Sequence, residues 1–203
     1  MIVLTAAMRD EVTAAFGVRP ERVAVVPSMR VGSAEGSSPP SRGTNCRPRS
    51  RRNGGDGGKC YQGYTGYWPA GGAQKSLIGF DSAAITADLN GAVIEKVEAF
   101  LYFEHWHYGS GGTAGIGTHS NASTPTNWAG STGILKSETN WPRGAGRWVT
   151  LPSSEHARFK SGAARGLSLQ APDTGLTYYG IAEGTSPGAS ESTKPKIRIT
   201  YKK

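Results

Sequence analysis

From residue 61 to the C-terminus, short stretches of alternating apolar and polar residues are separated by breaks rich in Gly, Pro, Asn and Ser. A period of two predicts extended strands, here at 76–80, 93–106, 113–119, 146–150, 166–170, 178–182 and 196–201. In the longest run, alternation sets Ala99, Leu101, Phe103, His105 and His107 on one side and Phe100, Tyr102, Glu104, Trp106 and Tyr108 on the other. Both sides carry large apolar groups, which predicts a central strand covered on both faces. Gly109, Ser110, Gly111 and Gly112 give the backbone freedom to reverse, so 100–119 reads as a β-hairpin. Helical spacing is confined to short stretches at 83–89 and 153–159. The expected fold is all-β, a jelly-roll-like β-sandwich over residues 61–203.

The first 60 residues have a different texture. Thr5 is placed to cap a helix whose apolar side uses Ala7, Met8, Val12, Ala15 and Phe16, with Gly17 closing it, and a short strand follows at 23–26 before Pro27. This helix–strand unit, residues 1–30, is too small to bury its own faces and is read as an attachment segment. Residues 31–60 are a linker by composition, dominated by Gly, Ser, Pro and Arg with no apolar period. Between Arg30 and Cys60, seven Lys or Arg stand against two acids, and the densest cluster is Arg47, Arg49, Arg51 and Arg52.

The formal charge of +8 on 203 residues favours an acidic partner, whether nucleic acid, a phosphorylated wall polymer or a neighbouring subunit. The arginine cluster has no interleaved aromatic residues and sits in no recognisable nucleic-acid fold, so docking onto an acidic protein surface is its expected use and nucleic acid is not an expected partner. Cys46 and Cys60 are the only cysteines and make at most one disulfide. The apolar start MIVLTAAM is too short to span a membrane and lacks the layout of a secretory signal, so neither a membrane nor that export route is expected.

His105, His107 and His119 are the candidate metal ligands, two on one strand and one on the strand after the turn. No fourth ligand is placed, and packing beside Trp106 and Tyr108 is the stronger expectation, so no metal and no cofactor are assigned. The acids Asp81, Asp88, Glu95, Glu98, Glu104, Glu138, Glu155, Asp173 and Glu183 show no spacing that singles out a catalytic pair. No catalytic residue is nominated and no enzymatic activity is expected. Trp106 and Trp148 sit in strand-like contexts and are expected in the core. Trp128 and Trp141 lie in polar connections, TPTNWAGS and ETNWPRG, and are the candidate ligand-binding residues, offering flat surface to sugar rings.

YQGY at 61–64, QKSLIGFD at 74–81, LNGAVIEKVEAFLYFEHWHY at 89–108, SGGTAGIGTH at 110–119, FKSGAARGLSL at 159–169, LTYYG at 176–180 and KPKIRITY at 194–201 together resemble a C-terminal domain of minor tail and tail-fibre proteins from phages of actinobacteria. More distantly, the order of these segments is similar to jelly-roll modules of secreted bacterial surface proteins. The resemblance implies a structural virion protein, assembled in the host cytoplasm, that contacts other virion proteins and adheres to the host surface, with cell-wall glycan as a possible ligand. It also points to a homo-oligomer, with a trimer favoured. A tail-associated polysaccharide hydrolase and a carbohydrate-binding module of a bacterial surface protein are the alternatives. Separately, RDEVTAAFGVRPERVAVVPSM resembles a helix–turn–strand of retaining glycosyltransferases, but the sugar-nucleotide-binding half of such an enzyme has no counterpart in this sequence.

Overall fold

The computed structural model describes residues 22–27, 58–64, 74–122, 130–185 and 188–203, and for 22–27 it gives the course of the strand alone. The expected N-terminal helix and the cluster Arg47, Arg49, Arg51 and Arg52 lie outside the described residues. In chain order the elements are β1 (Arg22–Pro27), β2 (Cys60–Gln62), β3 (Ser76–Gly79), α1 (Ser82–Asp88), β4 (Val93–Trp106) and β5 (Gly112–His119). There follow β6 (Lys136–Trp141), β7 (Ala145–Thr150), α2 (Ser154–Lys160), β8 (Gly166–Leu169), a 3-10 turn (Leu176–Tyr178), β9 (Gly180–Ala182) and β10 (Lys196–Lys202).

These strands form an all-β sandwich of two antiparallel sheets. One has the order β1, β10, β4, β9, β2, with β7 added on β4; the other has the order β3, β8, β5, β6. The core lies between them. β4 contributes Val97, Ala99, Leu101, Phe103 and Trp106, β10 contributes Ile197 and Ile199, and the facing sheet supplies Ile78, Ala114, Ile116, Leu167 and Leu169, all fully or almost fully buried. α1 and α2 close part of the sandwich with Ile85, Leu89 and Phe159. Asp81 starts α1 by accepting hydrogen bonds from the amides of Ala83 and Ala84 at 3.1 and 3.0 Å, which satisfies two donors that a helix start leaves open.

The expected hairpin at 100–119 does not form. β4 and β5 belong to different sheets: β5 pairs with β6 and β8, while β4 pairs with β10, β7 and β9. Phe103 is partnered by Ala145 and by Ala182, so both edges of β4 are taken there and β5 has no room beside it. The chain instead crosses the end of the core, with Gly111 at φ 108, a region open to glycine at little cost.

The expected division of β4 into faces holds only up to Phe103. A register shift between Phe103 and His105 puts one extra residue into the strand. An extra residue reverses the phase of alternation, so Trp106 joins the inward set and His105 leaves it. Two strands also fall outside the expected set, β2 and β6.

The described sheet reaches into the N-terminal region. β1 pairs with β10 from Arg22↔Tyr201 to Pro27↔Lys196. Cys60 is buried and disulfide-bonded, and Lys59 makes ion pairs to Glu104 at 2.5 Å and to Glu183 at 2.8 Å. The only other cysteine of the sequence, Cys46, lies outside the described residues.

Candidate functional site

The solvent side of the six-stranded sheet follows from the alternation that builds its inner side. Ile197 and Ile199 turn inward on β10, so Lys196, Arg198 and Thr200 turn outward; Val149 turns inward on β7, so Trp148 and Thr150 turn outward. The register then fixes neighbours across three strands. Lys196, Phe100 and Trp148 form one row, and Arg198, Glu98 and Thr150 the next.

Within these rows Phe100 and Trp148 lie 5.3 Å apart, tilted by 53°. The Lys196 ammonium stands 5.0 Å from the centre of the Phe100 ring. The Arg198 guanidinium reaches across β4 and rests 4.2 Å from the Trp148 ring. Cation–π contacts of this kind contribute roughly 0.5–1 kcal/mol at exposed sites and fix a long side chain in place. Glu98 binds Arg198 Nε at 2.7 Å through one carboxylate oxygen and Lys96 at 2.7 Å through the other. The hydrogen bond from Arg198, reinforced by Lys96, holds the Glu98 carboxyl below the usual carboxylate range, against the opposing effect of burial.

The face thus offers two aromatic rings edged by cations. Arg198 makes its hydrogen bond to the protein through Nε, and its two terminal nitrogens make none among the described residues. Lys196 forms no ion pair among the described residues. Open N–H donors beside an aromatic surface are suited to holding a ring that carries an acidic group.

Of the three tryptophan assignments that the structure describes, Trp106 is in the core as expected and the other two are exchanged. Trp141, expected on an exposed loop, is fully buried (0% exposed), while Trp148, expected in the core, is 36% exposed. Trp141 ends β6, just after Asn140, whose φ of 52° turns the chain and sends the indole inward. There it meets Phe103 edge-on at 5.0 Å, and its Nε1 donates to the Ala145 carbonyl at 2.9 Å. Arg147 covers the same ring and donates to the carbonyls of Thr139 and Asn140, fastening the end of β6. Trp128 lies outside the described residues.

The three histidines do not converge. His105 and His119 sit on different sheets, and His107 follows the end of β4, its ring edge-on to Tyr108. Among the described residues no group of three His, Cys, Asp or Glu is placed to hold a metal ion. His105 Nδ1 accepts from Arg143 at 2.6 Å. His119, 3% exposed, accepts from the Asn121 amide through Nδ1 and therefore donates through Nε2 to the Ile78 carbonyl at 3.1 Å. Burial lowers its affinity for a proton, aided by the nearby Arg158 and only partly offset by the Ile78 hydrogen bond.

A histidine whose folded-state pKa is lowered stabilises the fold above its ordinary value of 6.5, and that contribution is lost as pH falls through 6.5 toward the folded value. The melting temperature is accordingly expected to drop between pH 7.5 and 5.5, an interval about the ordinary imidazole value. His119→Gln should flatten that drop. Parallel curves for the two proteins would show that His119 is not its source.

Elsewhere in the described residues, Glu155 is buried and paired with Arg158 at 2.7 Å, and both reach the Thr118 hydroxyl at 2.6 Å. This cluster ties α2 to β5. No known protein family matches the chain, and no curated protein matches it.

Proposed function

We propose that this protein is a structural component of a phage virion, a minor tail or tail-fibre protein whose β-sandwich serves assembly and adhesion to the host surface. The reading draws its setting from the resemblance over residues 61–201 and is supported by a solvent-facing surface of aromatic rings and cations. The observation that carries it is the solvent-facing pair Phe100 and Trp148 with Lys196 and Arg198 laid against their rings. In this reading residues 1–60, with the cluster Arg47, Arg49, Arg51 and Arg52, attach the chain to an acidic neighbouring virion protein, and copies of the chain associate as a trimer.

The test is retention of the full-length protein on intact actinobacterial cells. Trp148→Ala removes a large aromatic contact, and a hot-spot residue of this kind is worth about 1–3 kcal/mol, so affinity should fall roughly five-fold to over a hundred-fold. Because the side chain is at the surface, the variant should stay folded. Undiminished retention of a folded Trp148→Ala protein would remove this face as the adhesive surface.

A further inference from the structure

We infer that the Phe100–Trp148 face takes an anionic polysaccharide, with a sugar ring against the exposed indole and its carboxylate or phosphate group held by Lys196 and Arg198. This rests on the adhesive reading of the face and names its ligand chemistry.

Charge complementarity is the first argument. Among the described residues the two outward rows, with Lys96 opposite Thr200 in the next, carry Lys96, Lys196 and Arg198 against one carboxylate, Glu98, which Lys96 and Arg198 already share. Among the described residues Lys196 is uncompensated and both terminal nitrogens of Arg198 are open. An oxyanion is the group that satisfies such donors.

Preorganisation is the second. Arg198 is held from two directions, by Glu98 at Nε and by the Trp148 ring under its guanidinium, so its fork of N–H groups is fixed before any ligand arrives. Lys196 lies two residues along the same strand, roughly 6.6 Å away at the usual rise, and on the same face. The two cations therefore reach either one acidic group or two on neighbouring sugars.

Glu98 argues for a glycan over a nucleic acid. A strand with one phosphate per nucleotide would lay a negative charge against a carboxylate that is held ionised by its partners. A polysaccharide spaces its charges with neutral sugar rings, so it can engage Lys196 and Arg198 without laying a further charge over Glu98, which is buried with both oxygens taken by Arg198 and Lys96.

The experiment measures binding of the full-length protein to oligogalacturonate, to phosphomannan, to neutral mannan and to an oligothymidylate. Binding to one or both acidic glycans at least ten-fold tighter than to neutral mannan is expected, weakening as salt is raised. Preference between oligogalacturonate and phosphomannan tells carboxylate from phosphate. Lys196→Gln and Arg198→Gln, checked for an unchanged circular dichroism spectrum, should each lower acidic-glycan binding about ten-fold and narrow the preference for acidic glycans over mannan. Equal binding to neutral and acidic glycans, tighter binding to the oligothymidylate, or indifference to both substitutions overturns the inference. If Trp148→Ala abolishes cell retention while acidic glycans bind no better than mannan, the adhesive face stands and the ligand assignment falls. If cell retention ignores Trp148 while oligogalacturonate or phosphomannan still needs Lys196, the reverse holds.

Discussion

Trp141→Ala is expected to destabilise the protein by about 3–5 kcal/mol, lowering the melting temperature by roughly 10 °C or more. The indole is fully buried, packs edge-on against Phe103 and bonds the Ala145 carbonyl, so truncation leaves a cavity, an orphaned carbonyl and a loosened end of β6. Trp148→Ala is the control: its ring is partly exposed, and loss of the contacts with Phe100 and Arg198 should cost about 1 kcal/mol. Thermal unfolding of the two variants side by side decides the matter. Equal melting temperatures would mean that Trp141 is not a core residue.

Trp106→Ala should cost a similar amount, about 3–5 kcal/mol, for a different reason. Its ring stacks on Phe103 at 4.2 Å and lies against the backbones of Gly112 and Gly180, one from each sheet. A Cβ at Gly112 would stand 2.2 Å from the ring and 2.8 Å from the Thr177 carbonyl oxygen, and a Cβ at Gly180 would stand 2.5 Å from the ring. Trp106 thus joins the two sheets where β4 leaves for β5, and filling either glycine should also destabilise, by about 1–3 kcal/mol. Trp106→Phe should recover much of the loss, because the indole N–H has no acceptor among the described residues and gives up no hydrogen bond. Denaturant titrations of Trp106→Ala, Trp106→Phe and Gly112→Ala test this; a Gly112→Ala protein as stable as the parent would refute the close packing.

The strands that were legible in the sequence are those with an apolar set on one side. Ile197, Ile199 and Tyr201 declare β10, and Leu167 and Leu169 declare β8, because burying one face requires a period of two. β6 was not legible: KSETNW has a single buried side chain, and an edge strand held by its ladder to β5 and by Arg147 needs no apolar period of its own. That is why Trp141 read as a loop residue. The partners of β4 were not legible either, since pairing depends on which edges are already filled. The bulge before His105 was equally hidden, and one inserted residue was enough to exchange the roles of His105 and Trp106. The cationic side of the proposed face could be inferred from the inward isoleucines of β10, whose outward neighbours are Lys196 and Arg198. Setting these opposite Phe100 and Trp148 required the register.

The ladder between β1 and β10 bears on how self-association should be measured. Removing the first 60 residues strips β1 from its partner and leaves one side of Lys196–Lys202 with unpaired amides and carbonyls. A bare sheet edge is a template for another chain, guarded here only by the charges of Lys196, Arg198 and Lys202. A shortened protein would thus have a route to pairing through β10 that the intact chain has closed. A dimer or larger species seen in that fragment would report the cut edge, so the trimer expectation has to be judged on the full-length chain.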